Sequence, residues 1–266
     1  MPNLRRRWKV CRVSAPSAGP ALITDKERVR RLVALPEVRP ERLSKLHAAR
    51  VAVVGVGGLG SAAAQYLAAQ GVGHLTLIDG DVVDAHNLGR QVLFSPSDIG
   101  SSKAAVAAQA LKRLAPELSI TVDTKFLSAD RVDGLRGHDL VIDGLDHAST
   151  RVLINEWAVS RHIPVIFGGA VGYEGQVFPV IPGGPCLSCL WPSLEGADED
   201  CVTGGILGPL VGTVGALQAA EAVKWLIGVG SKPGTLWSFD LMQSRLRTVT
   251  VPKNPACPVC GEGMAP

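Results

Sequence analysis

The sequence predicts an α/β protein, a doubly wound and mainly parallel sheet that antiparallel strands extend at one end. Three observations predict it. Short apolar runs alternate with helical segments from residue 50 to 171. A glycine-rich turn, "GVGGLG", joins the first run to the first helix. Two later segments, "GQVFPVIP" and "TLWSFDLMQSRLRTVTV", read as strands that break the alternation.

Each element follows from its residues. Residues 25 to 49 carry a helical spacing of Leu32, Leu35, Leu43 and Leu46, interrupted by Pro36 and Pro40. "RVAVVGV" is too apolar for a surface strand and is buried on both faces. Behind the glycines, Ala62, Ala63, Ala64, Ala68 and Ala69 keep a helix slim enough to lie close on the sheet, and Gly71 ends it. "HLTLID" is the second strand. Ser101 or Ser102 caps the helix that runs to about Pro116. "SITVDTKF" alternates as a strand, and "DLVIDGL", residues 139 to 145, is another buried one. "STRVLINEWAVSRH" is an amphipathic helix and "PVIFGGAV" a strand. A long helix is expected near 214 to 227, behind the glycine-rich stretch 204 to 215. The acidic, turn-rich "LWPSLEGADEDCVTGG" is expected as a mobile crossover loop near 190–205.

A hydrophobic content of 46% against 19% charged residues describes an ordinary globular core. The simplest organisation is one domain, residues 24–266, behind a basic extension, residues 1–23, expected to be disordered; a targeting segment is the alternative reading of that extension. It holds Arg5, Arg6, Arg7, Lys9 and Arg12, so a net charge of +3 leaves the remainder near neutrality. Nucleic acid demands a basic face rather than a basic tail, so no such partner is expected. The longest apolar stretch, 206 to 220, is too short and too rich in glycine and proline to span a membrane. A soluble, cytoplasmic protein without a membrane partner is expected.

Gly55, Gly57 and Gly60 fit G-x-G-x-x-G between a strand and a helix, the Rossmann-like setting in which backbone N–H groups meet phosphate oxygens. Asp79 closes the second strand, where an acid can bond ribose hydroxyls. Those residues admit a dinucleotide or ATP. The following loop, "DGDVVDAHNLGRQVLFSPSDIGSSK", carries Asn87, Arg90 and Lys103. A single pyrophosphate is held largely by helix amides. A triphosphate with a departing pyrophosphate needs cations and Mg²⁺. Asp146 falls just beyond the strand 139 to 145, at the sheet's carboxyl edge, where a carboxylate can hold Mg²⁺. Asp143, inside the strand, is expected to serve structure. The cations favour ATP, with an NAD-dependent oxidoreductase as the alternative.

Cysteines fall at 11, 186, 189, 201, 257 and 260, four of them in the pairs "CLSC" and "CPVC". Thiolates from Cys186, Cys189, Cys257 and Cys260 can close a tetrahedral Zn²⁺ site with no open position, which is a structural site. Disulfides or an iron–sulfur cluster are the alternatives. Cys201, among acidic neighbours, is either a nucleophile that captures an activated acyl group or a bystander. Cys11 is expected to be inert.

From about residue 25 to 262, in order and with matching spacing, run "GVGGLGSAAAQYLAAQGVGHLTLIDGDVVDAHNLGRQ", Lys103, Asp146, "EGQV", "CLSC", "GPLVGTVGALQAAEAVKWL" and "NPACPVC". These resemble the MoeB/ThiF/HesA family of ubiquitin-activating-enzyme-like sulfur-carrier adenylyltransferases. The resemblance implies ATP-dependent adenylation of the C-terminal glycine carboxylate of a small ubiquitin-like carrier ending in Gly-Gly. It implies a nucleotide site of Gly55, Gly57, Gly58, Gly60, Asp79, His86, Asn87, Leu88, Gly89, Arg90, Lys103, Asp146 and His147. Within it Gly58 would touch ATP, Asp79 the ribose, Asn87, Arg90 and Lys103 the phosphates, and Asp146 Mg²⁺. It further implies catalytic roles for Arg31, Arg90, Lys103 and Asp146, and a homodimer whose N-terminal arginine reaches into the partner's site; Cys201, on its own residues, is the candidate nucleophile that would follow adenylation. Counting back from "RVAVVG" places that arginine at Arg31, with Arg28 and Arg30 beside it.

Three departures stand out. His147 replaces the family's usual Asn, Val29 its usual aromatic residue, and no rhodanese-like extension follows Cys260, so a separate protein is expected as sulfur donor. An ATP-dependent dehydratase acting on a modified tRNA base is the family-related alternative; the paired cysteines favour the carrier branch.

Overall fold

In the computed structural model, which describes residues 25–192, 205–230 and 232–261, β1 (Arg50–Val54) lies between β2 (His74–Ile78) and β4 (Leu140–Asp143). The remaining strands are β3 (Ser119–Asp123), β5 (Val165–Val171), β6 (Glu174–Val180), β7 (Thr235–Asp240) and β8 (Arg245–Thr250). Among the described residues they form one sheet in the order β3-β2-β1-β4-β5-β6-β7-β8. Neighbours from β3 to β5 pair in parallel; β6, β7 and β8 add antiparallel. The chain steps outward from β1 to β2 and β3, then returns to the far side of β1 for β4 and β5. The order therefore reverses at the carboxyl ends of β1 and β4, the place where open α/β sheets bind ligands.

The period of two in β1 explains its burial. Val51 and Val53 enter one core, Ala52 and Val54 the other, and none is exposed. After α1 (Asp25–Arg28) and a 3₁₀ turn (Val29–Arg31), the helices are α2 (Pro40–Ala48), α3 (Gly58–Ala69), α4 (Lys103–Leu114), α5 (Ala148–Arg161), α6 (Leu187–Leu190) and α7 (Gly208–Leu226). Residues of α2, α3, α4 and α7 build the first core, and those of α5 and α6 the second.

Two boundaries differ from expectation, one for a local reason and one for a distant one. Pro40 does not interrupt a helix; it is the first residue of α2, where a missing N–H costs nothing. The long helix α7 starts at Gly208, well before 214, with Pro209 in its first turn. Its glycines read as loop, yet the purpose of Gly215 is distant: a Cβ there would run into the carbonyl of Leu59 and the Cβ of Ala62, on α3. Gly71 ends the region of α3 as expected, with φ +86° and the N–H of Val72 returning to the carbonyl of Leu67 at 3.2 Å. None of the described helices is long and apolar enough to cross a membrane.

At the opposite edge of the sheet, Thr76 Oγ1 meets His138 Nε2 at 2.7 Å and His74 Nε2 at 3.1 Å. Burial pushes both imidazoles below their ordinary range, and the charge of Arg50 lowers them further. The unfolded chain takes up protons near pH ~6.5 while the folded one resists. Stability is therefore whole above that pH and is lost on acidification from it toward the depressed folded values. The melting temperature should fall between about pH 7.5 and 5.5, and His138→Gln should flatten that slope. An unaltered slope in the variant would refute this account.

Candidate active site

The glycine loop is built by backbone against backbone. Gly55 has φ +82°, and a Cβ there would meet the carbonyl oxygen of Gly144 at 2.8 Å; one on Gly60 would run into the carbonyl of Gly55. These two glycines close the loop onto the end of β4. Gly57, just before α3, faces open space apart from Gln91 Nε2, 3.5 Å from where its Cβ would be. The surface at Gly57 is thus the one a ligand can approach. Gly58 opens α3 and is kept small by Val211 of α7.

Asp79, mostly buried, fastens this loop to β2. Its Oδ2 accepts the N–H of Val56 at 2.6 Å and its Oδ1 that of Asp81 at 2.8 Å. Burial pushes the Asp79 carboxyl up, and the two N–H bonds and the Lys103 charge oppose it. Lys103 is the first residue of α4, whose cap is Ser102. Its ammonium is 2.9 Å from Asp81 Oδ2, so the cation is already oriented beside the Asp79 segment. Of Asn87, Arg90 and Lys103, it alone has an acid partner among the described residues.

A 3₁₀ turn (Ala85–Asn87) presents the other polar groups. The N–H of Asp84 donates to Asn87 Oδ1 at 3.1 Å, and Arg90 Nη1 donates to the carbonyl of His86 at 3.0 Å. Leu88 packs at the margin of the first core, and Gly89 lies under the start of α7, where a Cβ on Gly208 would strike its carbonyl. Gln91, which the sequence analysis passed over, is 3% exposed beside Gly57, and its Oε1 has no partner among the described residues. No sequence signal beyond adjacency to Arg90 marks it.

Two aspartates at the end of β4 differ sharply. Asp143 is fully buried, 2.9 Å from Arg151 Nε. Burial raises its carboxyl and the guanidinium opposes the rise. Asp146 has a side chain 78% exposed, with His147 Nε2 3.8 Å away. It is the carboxylate left available to a cation, while Asp143 serves the fold as expected. Arg151 also donates to the carbonyl of Gly168 at 2.7 Å and stands over the rings of Phe167 and Trp191.

Of the N-terminal arginines, Arg28 is held by its own chain, paired with Glu117 and donating to the carbonyl of Leu114 at 3.2 Å. Arg30 and Arg31 are exposed. Cys201, most of the expected crossover loop, and the basic extension lie outside the described residues.

On the other face of the sheet the Sγ atoms of Cys186, Cys189, Cys257 and Cys260 lie within 4.8 Å of one another, with 3.7 Å between Cys186 and Cys257 and 3.4 Å between Cys189 and Cys260. Tetrahedral zinc with Zn–S bonds of about 2.3 Å has S···S edges of about 3.8 Å. The four residues fit such an ion, and none is in a disulfide. A cavity of about 480 Å³ adjoins Cys260 and includes none of the glycine loop.

A glycine loop at the strand reversal, with Lys103 held beside the Asp79 segment that fastens it and an exposed carboxylate just past β4, is the arrangement of a Rossmann-like enzyme that uses a nucleotide. Comparison with known proteins makes this specific. Residues 29–259 match the ThiF family, and the chain belongs to it. It is 42% identical over 244 residues to the SAMP-activating enzyme E1 of Haloferax volcanii, covering 90% of either chain. It is 41% identical over 247 residues to the sulfur carrier protein adenylyltransferase of Thermus thermophilus, covering 89% of this chain and 91% of that one. Among solved structures, E. coli MccB with ATP superposes with a TM-score of 0.73 at 27% identity, over 83% of this chain and 68% of that one.

Proposed function

We propose that this protein uses ATP to adenylate the C-terminal glycine carboxylate of a small ubiquitin-like sulfur-carrier protein, releasing pyrophosphate and readying the carrier for sulfur transfer. The observation that carries this reading is likeness over about nine-tenths of the chain to two enzymes that activate such carriers. Lys103 beside the Asp79 segment, and the exposed Asp146 just past β4, support it.

The chemistry follows from charge. A terminal carboxylate with a reference pKa near ~3.5 is ionised at neutral pH, so the nucleophile needs no general base. What the reaction needs is relief of repulsion between this anion and the α-phosphate. Gly57 admits the phosphates to the backbone N–H groups of α3, and Asp79 takes the ribose. Asn87, Arg90 and Lys103 hold the phosphates and the departing charge. Asp146 suits Mg²⁺, an ion held by one or two carboxylates together with substrate phosphates, which when bound neutralises phosphate charge. The protein works as a homodimer, with Arg31 of a second copy completing the cation set. A zinc ion in the four-cysteine cluster is structural.

The test is exchange of labelled pyrophosphate into ATP with candidate carriers ending in Gly-Gly. Exchange that appears only with such a carrier is the expected result. Exchange independent of any carrier would refute the reading. Cys201→Ala should leave exchange intact, because capture of the acyl group follows adenylation. A folded Cys201→Ala protein without exchange would mean that the thiol acts earlier.

A further inference from the structure

The side chains of Asp84, His86 and Asn87 form a closed set of contacts whose polarity can be deduced. Asn87 Oδ1 accepts the N–H of Asp84 at 3.1 Å, so the opposite atom of that amide, 3.0 Å from His86 Nε2, is Nδ2 and donates. His86 Nε2 must then be the unprotonated ring nitrogen. His86 Nδ1, 2.9 Å from Asp84 Oδ1, carries the proton and gives it to the carboxylate, which also accepts the N–H of His86 at 3.2 Å. Asn87 is 3% exposed. Two of its four hydrogen-bonding positions are thereby assigned: the carbonyl faces the backbone N–H of Asp84 and one amide proton faces the imidazole, so one N–H is left to donate.

We propose that Asp84 and His86 are positioning residues for Asn87, the carboxylate selecting the imidazole tautomer and the imidazole selecting which Asn87 proton remains for a phosphate oxygen. This rests on the reading above, that the loop holds the phosphates of ATP. The arrangement matters because an amide reversed in this place would turn its carbonyl oxygen toward an anion and repel it. The same turn carries Arg90 through the carbonyl of His86, so the relay orients a neutral donor and a cation from one short segment. His86 has a side chain 69% exposed, so packing does not dictate a ring there; the two directional contacts do.

The test is calorimetric binding of Mg-ATP to the full chain, with the melting temperature measured without ligand. Glutamine places an acceptor close to where Nε2 lies; asparagine reaches only the Nδ1 position; leucine offers neither. His86→Leu and His86→Asn should each weaken Mg-ATP binding about fivefold to tenfold, the order of one lost hydrogen bond. His86→Gln should stay within about twofold of the parent. All three should melt as the parent does, which a role in folding alone would not give. Equal binding by His86→Leu and the parent would overturn the relay, as would a glutamine variant as weak as leucine. Failure of the parent itself to bind Mg-ATP would overturn the underlying reading and the relay with it.

Discussion

An Asp146→Ala protein should melt with the parent and lose about 10²–10³-fold in pyrophosphate exchange, the scale of removing one preorganised electrostatic contact from a reacting phosphate. The prediction follows from what Asp146 lacks. Its side chain is 78% exposed and its described contact is His147 at 3.8 Å, so no buried group is abandoned when it goes. Asp143, three residues earlier, should behave oppositely. Its carboxylate is fully buried against Arg151, and removing one partner of such a pair costs about 3–5 kcal/mol because the other is left uncompensated. Asp143→Ala should therefore lower the melting temperature strongly. Comparing the two variants separates a carboxylate that serves the reaction from one that serves the fold. If Asp146→Ala retained exchange, the placement of Mg²⁺ at the end of β4 would be wrong.

The contrast between these aspartates was partly legible in the sequence. Asp143 lies within an apolar run and Asp146 beyond it, and position alone divides their roles. The same holds for β1, the glycine loop and α3, where a period of two gives way to small residues at a glycine turn. Long-range partners left no such trace. Nothing in "DGDVVDAHNLGRQ" says that Asp81 receives Lys103, or that Gln91 is buried beside Gly57. Nothing in "GGILGPLVGTVGALQ" says that Gly215 must stay small against Leu59 and Ala62 of α3, so the sequence alone places the start of this helix too late. Local pattern reports what a residue prefers. It does not report which distant backbone will approach it.

Metal removal should act far beyond the cysteines. Structural zinc contributes an apparent ~10–16 kcal/mol in zinc-finger peptides, comparable with a whole domain's net stability of ~5–15 kcal/mol. Here the cluster joins the segment after β6 to the segment after β8, and α5 passes its position inward. Asn155, wholly buried on α5, accepts the N–H of Leu187 between Cys186 and Cys189 at 2.9 Å. One turn earlier Arg151 stands over Trp191 and grips Asp143 at the end of β4. Loosening the cluster therefore frees Trp191 and slackens the strand end that carries Asp146. Cys257→Ser should lower bound zinc from about one ion per chain, depress the melting temperature steeply, and raise amide hydrogen exchange at residues 186–191 and 251–261. Pyrophosphate exchange should fall with it, although no cysteine of the cluster lines the glycine loop. A variant that lost its metal yet kept the parent's melting temperature and amide protection would show that the thiols merely lie together. The α5 contacts would then hold that face of the sheet unaided.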